Sequence, residues 1–257
     1  MSENQRSSDE ADTAPGRKKS VYEYFVAGAL GLMALGQWGD TKDVIVEAWR
    51  LTLSNFTHQY EYQALDRINV GSNLRYIKNL IGEPQLIKIS KYNDEISFAY
   101  YLKEKYILTL IVEENRVSAY TITSLIDDFV PHSLLTKTAS DDKTSIADNY
   151  GTIEDFTLDF NNIEYLLVKE ELGKEKLFVN NYFGAISYGV EVQLPSEELR
   201  EIYNTLNMDE TSSEALTKVR QLTTRAINNF YGAGENDLSV IADSVLTNFE
   251  YSLYYKK

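Results

Sequence analysis

Carboxylates dominate the reactive side chains of this 257-residue chain. Asp and Glu number 39 against 25 Lys and Arg, which gives a net charge of −14 and a pI near 4.7. Cysteine is absent, so disulfides, thiol nucleophiles and thiolate metal ligands are excluded. His58 and His132 are the only histidines, too few for a histidine-rich metal centre. Three carboxylate pairs have the right residue types for chemistry. Asp127-Asp128 and Asp141-Asp142 offer oxygen ligands to a divalent cation, and a converging pair such as Glu197-Glu198 would suit general acid and base work. Adjacent aspartates point apart, however, and no calcium-loop spacing follows them. Glu197 and Glu198 come directly after Pro195-Ser196, in the first turn of an expected helix, where negative charge complements the helix dipole. No residue is assigned a catalytic, metal-binding or cofactor-binding role, and the chain is not expected to be an enzyme. A carboxylate-dependent hydrolase, the outlying alternative, would need two of these groups brought together in a pocket with shifted pKa values.

The composition is globular, with 43% apolar and 25% charged residues. The acidic balance argues against nucleic acid, whose binding needs lysine and arginine to displace counterions. The length suits one large or two small domains.

Tyrosine is the other conspicuous side chain, and Tyr92, Tyr100, Tyr101, Tyr106 and Tyr120 fall within one stretch. Tyrosine combines large contact area with a polar tip and is favoured where proteins meet. Short strands must position these residues. Ile87 and Ile89 share one face of a first strand, and Ile96, Phe98, Tyr100 and Leu102 one face of a second, with Asn93-Asp94 as a two-residue turn between them. Tyr106, Leu108, Leu110 and Val112 make a third strand. Glu114-Asn115 forms the next turn, and Val117–Thr123 a fourth strand. Connections this short demand antiparallel neighbours, hence a meander. Alternation puts Tyr100 inward with Phe98 and Tyr101 on the opposite face. Tyr101 and Tyr120 are the expected exposed contacts to a partner protein.

A short helix precedes the meander. Ser72 is its expected N-cap, Leu74, Ile77, Leu80 and Ile81 form its apolar stripe, and Gly82 with Pro84 ends it. A longer helix from Asp40 or Thr41 to about Leu65, with Val44, Ile45, Ala48, Leu51, Leu53, Phe56 and Tyr60 on its apolar face, comes before that. His58 lies in it and reads as a surface or partly packed residue. Val70-Gly71-Ser72 followed by Leu80-Ile81-Gly82-Glu83-Pro84 resembles the signature of the SmpA/OmlA module of outer-membrane assembly lipoproteins, a fold also used in tandem by β-lactamase inhibitory proteins. The chain also resembles a group of uncharacterised bacterial proteins with an N-terminal hydrophobic helix. The resemblance covers Asp40–Leu125 and implies a binding or scaffolding role for a helix-backed sheet. It departs from the lipoproteins in lacking a lipid-bearing cysteine and in being far longer.

Residues 1–20 read as a disordered tail ending in Arg17-Lys18-Lys19. Residues 21–39 follow, with a strictly apolar centre of eleven residues from Phe25 to Leu35. As a helix the whole stretch spans about 28 Å, close to a bilayer core. Tyr22 and Tyr24 at one end and Trp38 at the other have the placement of aromatic belts, and Phe25, Leu30 and Leu32 lie between them. The leading expectation is a single membrane span anchored by these six residues. A glycine-rich helix buried in the protein or an oligomer, and a cleaved signal peptide, are the other two readings. The basic cluster would keep the N-terminus cytoplasmic, placing the main domain in the periplasm from the bacterial inner membrane. The buried-helix reading leaves it cytoplasmic and soluble.

Residues 127–150 read as a linker and 151–257 as a second α+β region. In the latter, Ile153, Phe156, Leu158 and Phe160 alternate, a helix is expected from Asn161 or Asn162 to Leu172, and strands over Lys176–Asn181 and Ala185–Leu194. Helices follow from Pro195, over Ser212–Phe230 and over Asp237–Tyr255. The repeated order of helix, glycine and strands admits a diverged duplication. The expected fold class is therefore α+β: a hydrophobic helix, a helix-helix-meander module over 40–126, a second α+β segment and C-terminal helices. The leading functional expectation is a noncatalytic, membrane-tethered protein-binding or scaffolding module of an envelope or defence-type assembly, without cofactor. A soluble inhibitor or accessory subunit is the alternative.

Overall fold

The computed structural model describes residues 58–130, 144–149, 153, 155–174, 179–188, 190–209 and 212–255. All belong to the second of two units into which the chain divides, His58–Lys257; the first is Met1–Thr57. The expected tail, the expected membrane helix with Tyr22, Tyr24, Phe25, Leu30, Leu32 and Trp38, and most of the helix from Asp40 lie outside the described residues. No helix among the described residues is long and apolar enough to cross a membrane.

The fold is α+β. Helices α1 (Gln59–Leu65) and α2 (Leu74–Ile81) precede strands β1 (Leu86–Ile89), β2 (Ile96–Leu102), β3 (Tyr106–Glu113) and β4 (Arg116–Ser124). After a 3-10 turn at Ile146–Asp148 come β5 (Asp155–Asp159), β6 (Tyr165–Glu171), β7 (Asn180–Ile186), α3 (Ser196–Met208), α4 (Ser213–Arg225), β8 (Phe230–Gly234), α5 (Leu238–Asp243) and α6 (Asn248–Tyr255). The eight strands make one antiparallel sheet in the order β1-β2-β3-β4-β8-β7-β6-β5. Read inward from each edge, four strands run in chain order and meet at their last members, β4 and β8.

The turn chemistry accounts for the first meander. Glu114 and Asn115 both adopt positive φ, 49° and 65°, as a two-residue hairpin turn requires. The β1–β2 connection is longer than the expected Asn93-Asp94 turn. It spans Ser90–Glu95, and the Asn93 side chain accepts from Glu95 N–H at 3.0 Å. The N-cap of α2 is Asn73 rather than Ser72: its Oδ1 accepts from Arg75 N–H at 2.9 Å. Ser72 instead bonds Val117 through its carbonyl at 2.8 Å. Gly82, at φ 91°, closes the helix as expected.

Both faces of the sheet are covered. On one, Phe98, Tyr100, Ile107, Leu167, Tyr182 and Phe230 pack beneath Leu238, Ile241 and Leu246 of the C-terminal helical region. On the other, Ala99, Tyr101, Leu108 and Tyr120 lie with Leu65 and Ile77 from α1 and α2, and Leu166, Val168 and Phe183 lie with Leu199, Val219 and Leu222 from α3 and α4. Double burial explains the largest departures from expectation. The expected helix through Leu172 is strand β6, whose run Tyr165–Val168 is buried on both sides. Such a run loses the alternation that marks a half-exposed strand. The turn expected between Asn181 and Ala185 lies inside β7, and the helix expected through Phe230 stops at Arg225, with Phe230 opening β8. The expected linker is partly built into the core, since Ile146 is fully buried and Ser145 bridges Ile227. The helix expected over Asp237–Tyr255 is two helices, broken after Asp243.

Candidate functional site

Tyr101 and Tyr120, expected at the surface, are 0% and 5% exposed. They sit under α1 and α2, because the face opposite Phe98 and Tyr100 is a second core rather than an open platform. Burial pushes the Tyr101 hydroxyl up to about 12, with the nearby Glu83 carboxylate adding to it. Burial likewise pushes Tyr120 well above the ordinary tyrosine range. Tyr92 is exposed, on the β1–β2 connection.

Among the described residues, the carboxylates of Glu197-Glu198 are each held by an arginine rather than by one another. Glu197 is bonded by Arg200 in its own helix, while Glu198 pairs with Arg225 across to α4. Glu201 pairs with Lys218 at 3.4 Å, and Lys218 also holds Glu214 at 3.0 Å. Glu198, Glu201, Lys218 and Arg225 line a groove of 520 Å³ between α3 and α4, each already matched by an opposite charge. Asp127 and Asp128 lie in the turn after β4, with Asp128 3.4 Å from His58 Nε2, and Asp141-Asp142 lie outside the described residues. His58 packs edge-on against Phe129, their ring centroids 5.4 Å apart, within a stack that continues to Tyr62 and Tyr106. No group of three potential metal ligands occurs among the described residues.

The surface feature that stands apart is the β1 edge. β1 is the first strand of the meander and, among the described residues, has a neighbour on one side only. Its sequence, Leu86-Ile87-Lys88-Ile89, alternates half-buried and exposed, and Ile87 and Ile89 are 56% and 65% exposed. Hydrogen-bond parity sets the direction of its backbone. Ser90 N–H donates to Ile96 carbonyl at 2.9 Å, and Leu102 N–H donates to Gln85 Oε1 at 2.8 Å. Even-numbered residues of β2 therefore face β1, and Lys88, opposite Phe98, is in a hydrogen-bonded pair. Ile87 and Ile89 consequently aim their N–H and C=O groups at the open edge.

β1 is tied down at its C-terminal end and at Lys88, while Ile87 and Ile89 stay exposed. Asp243, at the end of α5, accepts from Ser90 Oγ and Lys91 N–H, each at 2.9 Å, and pairs with Lys91 Nζ at 3.3 Å. Lys88 reaches Glu250 of α6 at 2.8 Å. Burial pushes the Glu250 carboxyl up, but hydrogen bonds from Lys88 and Thr247 outweigh it and hold the group below the usual carboxylate range. Tyr251 and Tyr255 of the same helix stack towards Tyr188, with centroids 4.6 and 4.8 Å apart along the stack. Phe249 and Leu253, four residues apart, are left on its outer side, both exposed.

The opposite edge, β5, is blunted. Phe156 and Leu158 are partly buried with the α3–α4 core, Asp155 and Asp159 stand at its two ends, and the Asp155 carboxylate occupies Phe156 N–H at 2.9 Å. Charge and self-capping of this kind are how sheets prevent edge pairing. On β1 the one charged side chain, Lys88, is turned inward and neutralised. Ile87 and Ile89 were legible as strand residues sharing a face, but not as an open edge. The available signal was position: the first strand of a meander has one partner unless a later strand comes to cover it. No protein-family model, curated protein or solved structure shows a significant match to the chain.

Proposed function

We propose that the protein is a noncatalytic protein-binding module that takes up an extended segment of a partner protein as a ninth strand beside β1. The observation that carries this reading is the uncapped β1 edge, with outward backbone groups at Ile87 and Ile89 and exposed isoleucine side chains at the same positions. Strand addition draws affinity from main-chain hydrogen bonds and specificity from alternate side chains, and both are on offer here. The likeness of Val70–Pro84 to the SmpA/OmlA signature supports the same reading. The apolar stretch 21–39 supports a tether of the module to a bacterial inner membrane, with the module on the periplasmic side.

Ile89→Pro tests the docking mode. The Ile89 N–H points away from β2, so proline removes an edge donor without removing a ladder bond, and edge strands tolerate it. A photo-cross-linking side chain at Ile87 is expected to capture a partner in cells, and one at Asp155 on the opposite edge is not. Capture that survives Ile89→Pro, or that is equal at the two edges, would overturn strand addition. Carbonate extraction of membranes tests the tether, which fails if the intact chain is released.

A further inference from the structure

If strand addition at β1 holds, the surroundings of β1 set the chemistry of the added strand. Its two sides meet different surfaces. On the side of Ile87 and Ile89 the neighbours are exposed and apolar. On the other side they are Leu86 and the Lys88–Glu250 pair, whose charges already cancel. At the end of β1 the loop Ser90–Glu95 carries three charges. Lys91 is held by Asp243, whereas neither Asp94 nor Glu95 has an ion-pair partner among the described residues. Both are exposed. The unmatched charge beside the open edge is therefore negative, within a chain of net charge −14.

We infer that the partner segment is an extended stretch with apolar residues at every second position and lysine or arginine where it passes the Asp94–Glu95 loop. Opposite charge at the rim of a contact speeds encounter and fixes register, while the apolar alternation supplies contact beside the isoleucines. A second copy of this chain fits poorly. Antiparallel pairing of two β1 strands about Lys88 sets one copy's Asp94–Glu95 loop near Glu83 of the other, whose cation Lys78 is already engaged at 2.7 Å, so it brings no unmatched lysine or arginine to that loop.

The test uses the full chain and two synthetic peptides with valine at alternate positions, one flanked by lysines and the other by glutamates. Affinity is read by fluorescence anisotropy, and the site by hydrogen exchange at Ile87 and Ile89. The lysine-flanked peptide is expected to bind about five-fold more tightly at low salt, the worth of two exposed ion pairs. The difference should shrink at high salt and vanish in the Asp94→Asn/Glu95→Gln variant, with exchange at Ile87 and Ile89 slowed throughout. Equal binding of the two peptides, with both amides protected, overturns the basic-partner inference and leaves strand addition standing. If neither peptide slows exchange at these amides, strand addition itself falls. Protection that rises with protein concentration in the absence of peptide, together with dimers in sedimentation, assigns the edge to a second copy and overturns the inference.

Discussion

Asn229 bonds Ile186 with its side chain as if it were a peptide unit. Its Oδ1 accepts from Ile186 N–H at 2.8 Å, and its Nδ2 donates to the Ile186 carbonyl at 2.8 Å. The Asn229 backbone meanwhile spans the seam between the half-sheets. Its N–H donates to Gly184 carbonyl at 3.0 Å, and its carbonyl accepts from Ser124 N–H at 2.8 Å. The neighbouring Asn228 accepts from Gly184 N–H at 2.8 Å. One residue thus joins the ends of β4 and β7 where β8 begins.

Replacing Asn229 by alanine leaves a buried N–H and a buried carbonyl of Ile186 unmatched. The expected loss is about 3 kcal/mol, since each such group costs roughly 1–3 kcal/mol. Urea unfolding checks this, and a loss below about 1 kcal/mol would show that the seam does not depend on the carboxamide.

Gly234 faces Ala119 across the same seam with no room for a side chain. A Cβ there would lie 2.1 Å from Ala119 Cβ, 2.6 Å from its Cα and 2.8 Å from the Ser118 carbonyl oxygen. Because backbone is among the obstacles, repacking cannot absorb the clash. Gly234→Ala should cost about 2–3 kcal/mol, as overpacked cores do. An unchanged melting temperature would refute the close approach.

Burial pushes the hydroxyls of Tyr101, Tyr106, Tyr165 and Tyr231 up to about 12 from 10.0. Their folded state therefore holds the proton more tightly than the unfolded chain. The stability linked to them is fully present below pH 10 and is lost as pH rises through the folded values near 12. Urea midpoints against pH should stay level up to the lower limit and fall above it. Phenolate absorbance from these four should appear together with unfolding, not ahead of it.

Lys88 fastens α6 to the edge strand. Glu250, held below the usual carboxylate range, contributes stability above its unfolded value that is lost as pH falls through the folded one. Lys88→Ala should remove up to about 1 kcal/mol at neutral pH and flatten the acid limb of the stability curve. An acid limb identical to that of the parent protein would show that the ion pair is not what anchors the helix.

Replacing both Ile87 and Ile89 by lysine puts charge on an edge that lacks it. Solubility should rise, while stability stays within about 0.5 kcal/mol per site because neither side chain is buried. A large loss of stability would mean that these side chains are covered in solution.

The first half-sheet was largely legible in the sequence because its signals are local. Glu114-Asn115 marks a turn by its own backbone preference, and the apolar runs β3 and β4 abut it directly on either side. The second half was misread where structure depends on distant contacts. Ile163, Leu166, Leu167 and Glu170 fall at helical spacing, but the run Tyr165–Val168 is a strand covered on both sides by layers from elsewhere in the chain. The stretch between the strands expected to end at Asn181 and to start at Ala185 reads as a turn, yet it lies within one continuous strand. Asn181 Nδ2 bonds Glu170 at 3.3 Å, and a Cβ at Gly184 would meet the Leu166 carbonyl oxygen at 2.5 Å. Tyr101 and Tyr120 were misplaced for the same reason as β6. Alternation assigns a side chain to a face without saying which faces are wet. Ile87 and Ile89 needed the converse knowledge, that none of the later described strands returns to their edge.

The meeting of β4 and β8 has a consequence for how the chain is made. The seam ties Ser124 to Asn229, 105 residues later. During synthesis the β1–β4 meander can form early from near neighbours, but its inner edge waits unpaired until β8 emerges. For that interval the nascent chain carries two raw edges, and the larger hazard is β4, whose Tyr120 and Ile122 are apolar. Truncation before Phe230 should therefore yield aggregation rather than a smaller folded protein. The last strand of the sheet to be translated is the one that makes a single domain of two halves.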